Sequence, residues 1–124
     1  MDRNHARAWI ARYARAWRTS GTESLNELFA DDATYRQAPF EPAILGLDAI
    51  AEMWEGERQG PDERFAMESE VVAFDDHVAV ARVAVRYEDP VAEYRDIWII
   101  RFAADGRCQT FEEWPFWPGQ PWKV

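Results

Sequence analysis

A single cysteine, Cys108, leaves no partner for an internal disulfide. Histidine is almost as scarce: His5 and His77 lie far apart, and no Cys/His cluster has the spacing of a metal site. No metal ligand is therefore expected. No apolar run approaches the roughly 18 residues of a membrane span. Residues 1–20 are charged throughout, without the apolar stretch of a secretory leader. Positive charge is in short supply as well. With 14 Lys and Arg against 23 Asp and Glu, the net charge of −9 argues against nucleic acid, whose phosphates require clustered cations. The arginines that do cluster (Arg3, Arg7, Arg12, Arg15 and Arg18) fall in the first helix and read as its solvated face. These absences lead to the expectation of a cytoplasmic protein that engages neither membrane nor nucleic acid.

What the chain has in quantity is rings. Its 124 residues suffice for one domain, spanning 1–124, with a single core. The apolar fraction is 48% and the aromatic fraction 15%, so seven tryptophans and seven phenylalanines must build a core or a cavity wall largely from rings.

Periodicity orders these residues into elements. Ala6, Trp9, Ile10, Tyr13, Ala14 and Trp17 recur at spacings of three and four, which predicts an amphipathic helix over 3–19. A short second helix turns Leu25, Leu28 and Phe29 inward, and Ser20 with Glu23 fits a capping box at its start. Asp31-Asp32 opens an extended segment over 33–37, and Pro39 and Pro42 keep the next stretch from being helical. A third helix is predicted over 47–58, with Asp48 in its first turn and Gly60-Pro61 as its stop. From Glu63 onward the period is two. Asp75-Asp76, Asp89-Pro90 and Asp105-Gly106 separate four strands. Helices first and strands after them, joined by short turns, describe an α+β domain with an antiparallel sheet.

The third and fourth strands carry the chemistry. One face of the third presents Tyr94, Asp96, Trp98, Ile100 and Phe102, and the other Arg95, Ile97, Ile99 and Arg101. An aspartate on the more aromatic face is costly unless paired or used. A two-residue turn at Asp105-Gly106 sets Trp98 opposite Glu113, Ile100 opposite Phe111 and Asp96 opposite Pro115. Asp96 and Glu113 then become neighbours on one ring-lined surface. A three-residue turn instead brings Glu112 to that face. Two carboxyls in an apolar setting push their pKa values apart, as acid–base catalysis requires. The alternative is that Asp96 pairs with an arginine to hold the sheet.

The words LFADDATYRQAPFEPAILGLDAI (28–50) and YRDIWIIRFAADGRCQTFEEW (94–114), in this element order, resemble the NTF2-like superfamily and within it the SnoaL-like proteins. The resemblance implies an NTF2-like (cystatin-like) cone, with N-terminal helices packed in the concave face of a strongly curved antiparallel sheet. It also implies an apolar pocket for a small apolar molecule, and a homodimer. Ketosteroid-isomerase-like members keep an acid near Asp96 and Trp98 and a tyrosine at Tyr13. Their general base falls at Gln37 or Ala38, and neither residue accepts a proton. In the limonene-epoxide-hydrolase pattern the water-positioning residues resemble Tyr35-Arg36-Gln37, the arginine falls at Arg82 and the water-activating acid at Glu113. Its second acid falls at Ala84, which has no carboxylate; we infer from the residues, not from the family pattern, that Asp96 one strand over supplies it.

Arg82 stays open between two placements. Its own strand turns Ala79, Ala81, Val83 and Val85 to the apolar side, which puts Arg82 outside with Glu68 or Glu70; the resemblance puts it inside. The resulting candidate set is Asp96, Glu113, Arg82 and Tyr35 for catalysis, with Tyr13, Trp17, Gln37, Trp54, Trp98 and Phe111 around a ligand. Isomerisation, aldol cyclisation, dehydration and epoxide opening are compatible with it, and none requires a cofactor. A non-catalytic carrier or dimerisation module is the alternative.

Overall fold

The computed structural model describes residues 1–58 and 64–121. Helix α1 (Arg3–Trp17) starts where the Asp2 side chain accepts from the His5 amide at 3.0 Å. It buries Ala6, Trp9, Ile10, Tyr13 and Ala16, the inward stripe expected from the spacing, with Ala16 added at the last turn. Four of the five clustered arginines are exposed and Arg12 is half-buried. Helix α2 (Leu25–Leu28) begins one turn later than the proposed capping box. Ser24 is its N-cap, without a side-chain cap bond, so the Ser20–Glu23 expectation fails. Backbone turns from Thr22, Glu23 and Ser24 already occupy the first amides.

Strand β1 (Phe29–Arg36) is longer than expected, running through Asp31 and Asp32, which face solvent. A two-residue strand β2 (Ile44–Leu45) pairs with β1 and leads into α3 (Leu47–Glu57). The Gly60-Pro61 stop lies outside the described residues. Strands β3 (Phe65–Asp75), β4 (Val78–Glu88), β5 (Val91–Phe102) and β6 (Cys108–Phe116) follow in an antiparallel run. The sheet order is β2-β1-β6-β5-β4-β3, curled but unclosed, and among the described residues the β1–β6 pair is the one parallel contact. That pair arises because β1 precedes the whole meander and meets its last strand. A bulge at Val72 in β3 adds local bend to the sheet.

The curl divides the interior along α1. At one end Trp9 packs edge-on to Phe29 and Phe102, and its indole donates to the Leu28 carbonyl at 2.9 Å. With Ile10, Ile100 and Phe111 this end is solid core. Toward the C-terminal half of α1 the rings spread apart and leave a cavity. Arg58, at the C-cap of α3, fixes this arrangement from below. Its guanidinium donates to the carbonyls of Ala16 (3.2 Å), Thr19 (2.6 Å) and Gly21 (3.0 Å) and pairs with Glu55. These acceptors include carbonyls that the end of α1 leaves without helical partners. Among the described residues, no helix is long and apolar enough to cross a membrane.

Candidate functional site

The β5–β6 hairpin reaches its expected pairing by a different route. Ala103 donates to Arg107 and Gly106 donates to Ala103, so three residues, Ala104 to Gly106, form the turn. Gly106 takes a φ of +91°, which favours glycine. A three-residue turn alone would bring the wrong face inward. The register then shifts between Arg101–Thr110 and Phe102–Cys108, leaving Gln109 as an extra residue in β6. Turn and bulge cancel. Trp98 lies opposite Glu113, Ile100 opposite Phe111 and Asp96 opposite Pro115.

Asp96, Trp98, Ile100 and Phe102 are buried on the inner face of β5, while Arg95 and Arg101 are exposed. Asp96 and Glu113 are diagonal neighbours on that face, a spacing of roughly 7–8 Å between backbones. Both border a cavity of about 410 Å³ together with Tyr13, Trp17, Tyr35, Gln37 and Trp98. Of the ten candidate residues, seven therefore converge.

The other three do not. Trp54 and Phe111 are fully buried and sit behind the wall, against Tyr13 at 4.9 Å and Tyr35 at 4.6 Å between ring centroids. They support the cavity wall and do not form it. Arg82 is outside: its side chain is 65% exposed and lies 3.9 Å from Glu70. The register decides this. Val83 pairs with inward-facing Asp96, so Arg82, paired with Ile97, belongs to the convex face. Ala84, where the epoxide-hydrolase pattern has its second acid, likewise falls one residue off the inner row. The carry-over from that pattern is thus one position out of step along β4.

The two acids sit in different settings. Asp96 is 7% exposed. Its Oδ2 faces the Trp98 indole nitrogen at 3.5 Å, and its Oδ1 is buried with no donor among the described residues. Burial pushes its carboxyl up to about 6, against hydrogen bonds from Trp98 and the Phe116 amide that favour the charged form. Glu113 is half-buried. Burial, then the Asp96 and Glu57 carboxylates, raise it to about 8, opposed by the Tyr35 hydroxyl. No arginine or lysine makes an ion pair with either acid among the described residues.

Polar groups continue from Glu113. The Tyr35 and Tyr13 hydroxyls share a hydrogen bond of 2.7 Å, and burial followed by Glu113 holds both phenols well above their ordinary range. Both remain protonated donors. Gln37 donates to Glu57 at 2.7 Å, and Glu57 joins the cavity lining. Glu57 was missed in the sequence because it is the last residue of α3, where helical periodicity assigns no face. Tyr87, Asp89 and Tyr94 also border the cavity. The inward parity of Tyr87 and Tyr94 was legible, but nothing marked the cavity as extending so far along β4 and β5.

Fold and cavity together define a class: an α+β cone in which a curled sheet wraps one long helix and holds carboxyls inside a ring-lined space. A family model described as a SnoaL-like domain matches residues 10–110, and the chain belongs to that family. Among solved structures, it is similar to SalBIII, described as an epoxide hydrolase/cyclase-like enzyme in pyran ring formation in the polyether salinomycin. The identity is 15%, coverage is 93% of each chain and the TM-score is 0.75. A ketosteroid isomerase-like protein from Erwinia carotovora atroseptica SCRI1043 is 20% identical over 95% of this chain and 100% of that one, with a TM-score of 0.65. An NTF-2 like protein of unknown function from Burkholderia xenovorans LB400 is 12% identical over 98% of this chain and 88% of that one, with a TM-score of 0.70. At such identities the likeness is one of fold. A comparison with curated proteins by sequence gives no match.

Proposed function

We propose that the protein binds a small, largely apolar molecule in this cavity and transforms it by carboxylate acid–base chemistry. The observation that carries this is the pair Asp96 and Glu113, both bordering the ring-lined cavity and neither neutralised by an arginine among the described residues. A pair serving only to hold the sheet would be locked by a cation. Near neutral pH, Asp96 is ionised and acts as the base, removing a proton from carbon or from water. Glu113 keeps its proton and delivers it to a carbonyl, hydroxyl or epoxide oxygen. Tyr35, with Tyr13 behind it, orients that oxygen, and Gln37 positions the polar end of the substrate. Isomerisation, aldol cyclisation, dehydration and epoxide opening fit this division of roles. Family membership supports cyclase- or isomerase-type chemistry on a small molecule. The homodimer implied by the resemblance would give a cover to Trp114 and Trp117, which are 36% and 47% exposed.

The test is a thermal-shift screen against lactones, epoxides, terpenoids and polyketide-like ketones, followed by turnover assays of each hit. Loss of turnover in Asp96→Asn and in Glu113→Gln is expected. Full activity in both variants would remove the mechanism.

A further inference from the structure

The charge around the cavity is one-sided. Among the described residues that border it, the ionisable groups other than tyrosine are Glu57, Asp89, Asp96 and Glu113; no lysine, arginine or histidine takes part. The guanidinium at the edge, Arg18, is already engaged. It lies 3.9 Å over the Phe65 ring and donates to the Phe65 carbonyl at 2.9 Å. Acids facing one another across a ring-lined space are unfavourable unless something cationic enters or protons are retained.

An independent feature also points to a ligand. Although the Asp96 carboxyl meets the Trp98 indole and the Phe116 amide, its Oδ1 is buried and has no donor among the described residues, in a residue that is 7% exposed and borders the cavity. A buried carboxylate oxygen without a donor is costly, and a ligand N–H is the group that would complete it. The walls supply the rest of a cation site. Trp17, Phe65, Tyr87, Tyr94 and Trp98 border the same space, and aromatic faces attract an alkylammonium as they do a lysine. Among the described residues no group of three or more His, Cys, Asp or Glu converges closely enough for a metal ion.

We infer that the cavity selects an organic cation, an amine carried as ammonium on a compact apolar body, with the ammonium drawn to Asp96 and its acidic neighbours and the body against the rings. This rests on the ligand-binding reading above and names its substrate class. With four carboxyls against one ammonium, the group that holds the ligand and the group that moves a proton need not be the same. An anionic ligand is disfavoured by the Asp96 carboxylate and its acidic neighbours, although Glu113 holds its proton near neutral pH. A neutral one makes no charge pairing with Asp96.

Three probes of nearly one shape separate the cases: 1-adamantanemethylamine, 1-adamantanemethanol and 1-adamantanecarboxylate, titrated calorimetrically into the full chain near neutral pH. The amine is expected to bind about tenfold or more tighter than the alcohol, with the carboxylate weakest. In the Asp96→Asn/Glu113→Gln double variant, checked for folding by its melting transition, that preference should fall toward parity. An alcohol that binds as tightly as the amine, or a carboxylate that binds best, overturns the cation assignment and leaves the cavity as a ligand site. A preference unchanged in the double variant also overturns it, because the ammonium would then be held elsewhere. If none of the three binds, the cation assignment falls, and the ligand-binding reading is decided separately by the thermal-shift screen. The wild-type comparison decides the charge preference even if the double variant does not fold.

Discussion

Glu113 holds a proton in the folded protein that the unfolded chain gives up. Its carboxyl is raised from an ordinary value of 4.5 to about 8, chiefly by burial. Across that window the folded state binds more protons, so this residue's contribution lowers stability as pH rises. Glu113→Gln removes the effect. Its melting temperature relative to wild type should climb between about pH 5 and pH 8, by an amount on the order of 1–2 kcal/mol at the upper end; the full shift is discounted because the residue is only half-buried. A pH-independent difference in calorimetric scans would contradict this. Asp96 lies lower, at about 6, so turnover of an identified substrate should peak between the two values and fall on both sides. Asp96→Asn should lower kcat/KM by about 10²–10⁴-fold and abolish the acidic limb of that profile. Asp96 was legible in the sequence as an acid among rings. Its unpartnered oxygen was not, because that depends on where every nearby donor points.

The β5–β6 hairpin shows how a pairing can be read correctly through an incorrect turn. The Asp-Gly signal suggested two turn residues; the chain uses three and restores parity with the Gln109 bulge. Inward and outward faces depend only on parity, so Glu113 reached the cavity side either way. Arg82 failed for the same reason, since a carried-over motif one residue out of step moves a side chain through the sheet. Gly106 closes the turn at a positive φ, and a Cβ there would come within 3.0 Å of His5 Cε1. Gly106→Ala should cost about 1–2 kcal/mol in denaturant unfolding, with affinity per folded molecule unchanged. Arg58 was invisible in the sequence as a structural residue, because its acceptors are backbone carbonyls some forty positions earlier. Arg58→Ala should destabilise by about 1–3 kcal/mol, removing the buried guanidinium that bridges the Ala16, Thr19 and Gly21 carbonyls, with Arg58→Lys restoring part of the loss.

At the scale of the whole molecule, the α+β layout was legible because three signals agreed: helical spacing first, period two after it, and short turns at Asp-rich pairs; the cone came only with the SnoaL-like resemblance. The parallel β1–β6 contact was not, since a long-range pairing leaves no local pattern. From the residues alone the cavity was legible only as a surplus of rings; the pocket came with the resemblance. Which of them pack only as core and which also border the cavity depends on how far α1 reaches into the curled sheet; Trp54 and Phe111 pack only as core, Trp98 is core that borders the cavity, and Trp17 is half-buried at its wall. The central claim is that this shape holds two carboxyls at different protonation states near neutral pH. Carbon-13 NMR titration of the side-chain carboxyls, assigned with Asp96→Asn and Glu113→Gln, tests it most directly. The expected result is one aspartate titrating at about 6 and one glutamate at about 8. Two carboxyls that both titrate at about 4, as exposed side chains do, would contradict the account.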